Sequence, residues 1–174
     1  MRFWILILST WMSTLLPTEA QIVDKKMQSG FYSPKKRNIE AIIVHSVFNN
    51  SGGDQYNVDL IIRQFERYRV STHYLIDRCG KVYRLVDEKK VAYHAGRSVL
   101  PDGRTHVNNL SLGIELICSF ADSTTTAQIN SLIMLTRDIK QRYPIKYVLR
   151  HADIAPGRKK DPWNLNWEAF KSGL

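Results

Sequence analysis

His45 directly follows an apolar run, Ile39 to Val44, and His151 follows a shorter one, Tyr147 to Leu149. Asp161 lies ten residues beyond His151, in a stretch punctuated by Pro156-Gly157 and closed by Pro162. Two imidazoles and a carboxylate are a donor set suited to catalytic zinc, which takes three protein ligands and keeps a fourth position for water. Ligands at strand ends can converge on one point, and the proline after Asp161 biases that residue toward extended backbone. Glu115 interrupts the apolar run Leu110 to Ile117. A charge in such a run has to be paired, liganded or catalytic. Spacing alone leaves open a set of ordinary satisfied histidines, with Asp153 as the nearest competing carboxylate.

These residues need elements to position them. Ile39 to Val44 is β-branched and apolar on both parities, the pattern of a strand buried on both faces. The turn-rich stretch Asn49 to Asp54 precedes Val58 to Tyr68, whose apolar residues recur at helical spacing. His73 to Ile76 and Val82 to Val86 flank Asp77-Arg78-Cys79-Gly80 and predict two antiparallel strands. Leu110 to Ile117 predicts another strand, Ala127 to Tyr143 a helix stopped by Pro144, and Tyr147 to Leu149 a short strand delivering His151. Strands and helices of these lengths imply a single-domain α/β fold, one mixed sheet with helices packed on it. Residues 21–38, polar and basic, read as a surface lead-in to a domain spanning 39–174.

The 174 residues are 44% apolar and 24% charged, a composition that excludes collagen, low-complexity disorder and a multispan membrane protein. Arg2 followed by the mostly apolar Phe3 to Leu16 and by Pro17-Thr18-Glu19-Ala20 reads as a secretory signal peptide over residues 1–20. The run is too short to cross a bilayer, for which about 20 apolar residues are needed. The expectation is therefore an exported, periplasmic or secreted protein without stable membrane insertion after signal removal. Cys79 and Cys118 leave a disulfide and two free thiols equally open. A formal charge of +9 points to an acidic partner, and no aromatic stacking motif accompanies it, so nucleic acid is not expected.

Five ordered segments carry a resemblance: Ile43-Val44-His45-Ser46, Val70 to Ile76, Ala92-Tyr93-His94-Ala95-Gly96, Asn109 to Leu116, and Arg150 to Pro162. From about Ile39 to Trp163 the chain resembles the zinc-dependent N-acetylmuramoyl-L-alanine amidases of the type 2 amidase family, kin to peptidoglycan recognition proteins. The resemblance implies hydrolysis of the amide between N-acetylmuramic acid and L-alanine in peptidoglycan or muropeptides, by a monomer holding one Zn2+. Matched residue by residue, it gives His45, His151 and Asp161 as zinc ligands, Glu115 as the group that accepts a proton from the attacking water, and Lys159 as the ammonium beside the oxyanion. It also implies substrate contacts for His94 in the His-Ala-Gly motif and for Asn109. Arg97, Arg104 and Arg158 are candidates for the stem-peptide carboxylates, since guanidinium forks match them. Alternation lets only one of His73 and Tyr74 face the site. The competing expectations are a peptidoglycan-binding module without catalysis and a zinc peptidase cutting within the stem peptide.

Overall fold

The computed structural model describes residues 22–174. The signal peptide expected over residues 1–20 lies outside the described residues. In chain order the elements are β1 (Ile22–Asp24), β2 (Phe31–Tyr32), β3 (Ala41–Val47), α1 (Val58–Tyr68), β4 (Tyr74–Ile76), β5 (Val82–Arg84), β6 (Val91–Ala92), α2 (Val107–Leu110), β7 (Ser111–Ile117), α3 (Thr126–Arg142), β8 (Tyr147–Arg150), α4 (His151–Ile154) and α5 (Trp167–Ser172). Six strands form one mixed sheet in the order β1-β5-β4-β7-β3-β8, and β2 pairs with β6 in a small separate ladder.

The centre of the sheet is parallel: β3 runs alongside β7 on one side and β8 on the other, and β4 is parallel to β7. Only the β4–β5 pairing in this sheet is antiparallel, as the turn at Asp77 to Gly80 requires. Strands covered on both faces must be apolar on both parities, and Ala41 to Val44 are fully buried. One parity (Ile42, Val44, Leu112, Ile114, Leu116, Tyr74, Ile76) packs with Leu132, Leu135 and Ile139 of α3 and Phe170 of α5. On the other parity Leu75 and Ile117 pack against Ile61 and Phe65 of α1, while Ala41 and Ile43 pack with Leu100, Val107 and Ile154. Each large apolar side chain buried this way contributes about 1.5–3 kcal/mol.

Helix ends follow their capping residues. The Asn57 side chain accepts from the Leu60 amide at the start of α1. Thr125 and Gln128 form a capping box at the start of α3. The buried Gln128 amide also donates to the carbonyls of Ile76 and Ile117, tying α3 to the ends of β4 and β7.

Residues 22–38, within the expected lead-in, are tied to the domain. β1 adds to the edge of β5 in register from Ile22 to Asp24, Met27 is buried, and Arg37 reaches inward to the loop before β6 and the start of β7. Three strand residues and one arginine do the anchoring inside an otherwise polar segment. Cys79 and Cys118 are free thiols, the first exposed and the second buried.

Candidate active site

His45 and Glu115 are register partners on neighbouring parallel strands, so their side chains share one face of the sheet. Leu75 is the partner of Glu115 on the other side, and Tyr74 therefore faces away, giving its hydroxyl to Glu88. His73 has the parity of the site but is fully buried, its Nδ1 accepting from the Gly113 amide. It belongs to the core.

β8 ends at Arg150 and His151 opens α4. Asp153 closes on Arg150, accepting from its backbone amide at 2.9 Å and from its guanidinium at 2.7 Å. That pairing removes the competing carboxylate. The loop carrying Asp161 is fastened at both ends, with the Ala152 amide donating to the Asp161 carbonyl and the Trp163 amide to Ser46 Oγ. The Asp161–Pro162 peptide is cis.

Asp161 Oδ2 consequently lies 3.0 Å from His151 Nδ1 and 3.4 Å from His45 Nδ1. One donor atom from each of the three buried residues falls within 4.8 Å of the others. The environment favours a cation between them. Burial drives the His45 imidazole down to about 4 despite the pull of Asp161, so at neutral pH it is uncharged. Burial opposes the charge of Asp161, but the two imidazoles outweigh it and hold the carboxyl below the ordinary carboxylate range.

His151 Nε2 lies 3.1 Å from the Ala95 carbonyl oxygen. A carbonyl only accepts, so the tautomer with its proton on Nε2 satisfies Ala95 and turns a lone pair toward Asp161. A cation between that lone pair and the carboxylate would reconcile two acceptors 3.0 Å apart. Two imidazole nitrogens and one carboxylate oxygen match the ligand chemistry of a divalent cation such as zinc.

Glu115 is 9% exposed, and its Oε2 has no hydrogen-bond partner among the described residues. An orphaned buried carboxylate is costly. Burial, followed by the charge of Asp161, pushes its carboxyl well above the usual value, and Lys159 pulls the other way. The charge of Lys159 also bears on His45. The structure thus brings His45, His151, Asp161 and Glu115 to one place, with the charge of Lys159 acting on His45 and Glu115. Among the described residues Glu115 has no arginine partner.

Other expected contacts come out differently. His94 is buried behind His45, its Nδ1 3.0 Å from His45 Nε2. Arg104 is committed to Asp102 and Glu40. Arg158 donates to the carbonyls of Ala95 and Arg97, stapling the loop at Gly96, whose φ of +58° suits glycine. Arg97 and Asn109 are exposed, and Asn109 Oδ1 accepts from the Tyr32 hydroxyl.

Sequence reasoning missed an aromatic rim. Phe48, Phe120 and Trp163 meet edge-on with centroids 5.0 to 5.8 Å apart, and Phe120 is 66% exposed. It also missed Gly113, although a glycine inside a strand signals close approach of another group. A Cβ there would stand 2.6 Å from the His94 ring.

Comparisons with known proteins agree with this geometry. The profile of the family described as N-acetylmuramoyl-L-alanine amidase matches residues 35–164. The 1,6-anhydro-N-acetylmuramyl-L-alanine amidase AmpD of Escherichia coli is 41% identical over 106 residues, 59% of this chain and 57% of that protein. The chain thus spans little more than half the length of the curated relatives it matches. Among solved structures, a selenomethionine derivative of AmpD superposes with a TM-score of 0.75 at 29% identity, covering 91% of this chain and 96% of the other. The E. coli amidase AmiD, solved with anhydro-N-acetylmuramic acid-L-Ala-D-γ-Glu-L-Lys, superposes with a TM-score of 0.67 at 28% identity, covering 83% of this chain and 65% of the other.

Proposed function

This chain belongs to the N-acetylmuramoyl-L-alanine amidase family, and from that premise we propose that it is a zinc hydrolase that cleaves the amide between the lactyl group of N-acetylmuramic acid and L-alanine. The observation that carries the proposal is the convergence of His45, His151 and Asp161 beside the unpartnered carboxylate of Glu115. His45, His151 and Asp161 would hold the metal. Bound zinc supplies Lewis acidity toward a carbonyl oxygen and lowers the pKa of water to about 7.

The chain's own residues account for the rest. Glu115, made more basic by its burial, accepts a proton from the attacking water and returns it to the leaving alanine nitrogen. The carbon–nitrogen bond breaks, leaving a muramoyl carboxylate and a free stem-peptide amine. Lys159 places positive charge beside the oxygen on which negative charge grows. Arg97 and Asn109, exposed beside the stapled loop and at the end of α2, meet the stem peptide and sugar. Muropeptide fragments are the substrate class best supported, since AmiD was solved with one.

The apolar run of residues 3–16 supports export to the compartment that holds the wall. No helix among the described residues is long and apolar enough to cross a membrane. The three ligands and the base all come from one chain, so a monomer suffices for the reaction.

The deciding experiment is mass spectrometry of muropeptides incubated with the protein, with chelator and with zinc restored. The expected result is chelator-sensitive release of intact stem peptides beginning with L-alanine. Binding without cleavage in the zinc-loaded protein would overturn the hydrolase in favour of a recognition module. Cleavage inside the stem would make it a peptidase.

A further inference from the structure

We propose that the Val107 carbonyl, Ser111 and His94 form a one-way hydrogen-bond relay that sets the tautomer of His45, making His94 a positioning residue for the metal site. The inference rests on the metal reading above.

The relay can be followed from the end that has no choice. Ser111 Oγ lies 2.6 Å from the Val107 carbonyl oxygen, which can only accept, so the single hydroxyl proton of Ser111 points there. Ser111 Oγ is then an acceptor toward its other partner, His94 Nε2, 3.2 Å away. His94 must carry its proton on Nε2. No carboxylate contacts the His94 ring among the described residues, and the ring has one proton to place. Its Nδ1 is therefore a lone pair, 3.0 Å from His45 Nε2. His45 answers with Nε2–H, and its Nδ1 is left as a lone pair on the side where Asp161 and His151 converge. Each link permits one direction only.

The ring is held for this task from two sides. Gly113 lies beneath it on β7, and any side chain there would collide with Cγ. Asn108 Oδ1 accepts from the backbone amides of His94 and Ala95 at 3.2 and 2.8 Å, fixing the segment after β6 from which the ring hangs. The neighbouring ligand is oriented by the same segment, because Ala95 supplies the carbonyl that takes the His151 proton. Residues 94 and 95 thus set both imidazoles. Groups that orient metal-bound histidines typically change metal affinity about 10–100-fold when removed.

The test uses the full chain and two readouts besides activity. In competition with a chromophoric chelator, His94→Leu should bind zinc about 10–100-fold more weakly than wild type. His94→Asn, which returns an oxygen acceptor to the position of Nδ1, should recover part of that loss, and Ser111→Ala should weaken zinc as well. In nitrogen-15 spectra of the zinc-loaded wild type, His94 should be protonated at Nε2 and bare at Nδ1. This arm needs no variant and decides the matter if His94→Leu does not fold. Wild-type zinc affinity in His94→Leu, equal losses in the Leu and Asn variants, or a proton on His94 Nδ1 would each overturn the relay while leaving the metal site standing. A wild type that binds no zinc would overturn both.

Discussion

At the residue scale the site separates holding from reacting. His45, His151 and Asp161 are each fixed by a partner outside the trio, whereas Glu115 Oε2 has none among the described residues. Glu115→Gln is therefore expected to leave one zinc per chain, measured by elemental analysis, while kcat falls about 10²–10⁴-fold, the range for a lost general base. Wild-type turnover would remove Glu115 from the proton path. The same substitution removes a buried carboxyl whose charge is disfavoured by burial and whose Oε2 has no partner among the described residues, so thermal melts of the metal-free variant at neutral pH should show no loss of stability. His151→Ala should abolish stoichiometric zinc binding. At a hundredfold excess over Kd, bound metal stabilises by about 2.7 kcal/mol, a margin that wild type loses to chelator and the variant never has.

At the element scale much of the site was legible, because His45 closes the apolar run of β3, His151 follows β8 and Glu115 interrupts β7, although β3 runs on past His45 to Val47. β3, α1 and the β4–β5 pairing lie where periodicity and turn residues place them. What stayed hidden depends on contacts far apart in sequence. Arg37 donates to the carbonyls of Glu88, Lys90, Asn108, Asn109 and Ser111, five acceptors no local pattern connects. His94 matched a motif, yet its position behind His45 is set by the bare backbone of Gly113 on another strand. Glu88 is a further case, taking Arg142 of α3 together with the Tyr74 and Tyr143 hydroxyls. Burial opposes its charge, but these partners prevail and hold its carboxyl below the ordinary value of 4.5. A depressed carboxyl contributes stability above its unfolded pKa and loses it as pH falls through the folded value. Glu88→Gln should thus cost about 1–3 kcal/mol at pH 7 by urea unfolding, with the gap from wild type narrowing below pH 4.5. A gap independent of pH would mean that packing, not charge, fastens α3 to β4.

At the scale of the whole molecule, the two faces of the sheet have different work. One carries α3 and α5 on an unbroken apolar surface, and the other carries the site between α1 and the loops around α2. A formal charge of +9 surrounds both. Attraction of that charge to an anionic polymer would be screened over about 8 Å at physiological ionic strength. Cosedimentation with isolated sacculi should accordingly weaken as salt rises from 50 mM to 0.5 M; binding that ignores salt would mean that net charge does not carry the affinity. The pairing of His45 with Glu115 across β3 and β7 has a consequence for anyone preparing the protein. Side chains alternate along a strand, so a slip of one residue between these two strands would send the base to the opposite side of the sheet from the ligand. Turnover is then a census: in a refolded sample, the fraction of full specific activity counts the molecules whose central strands were laid down in step.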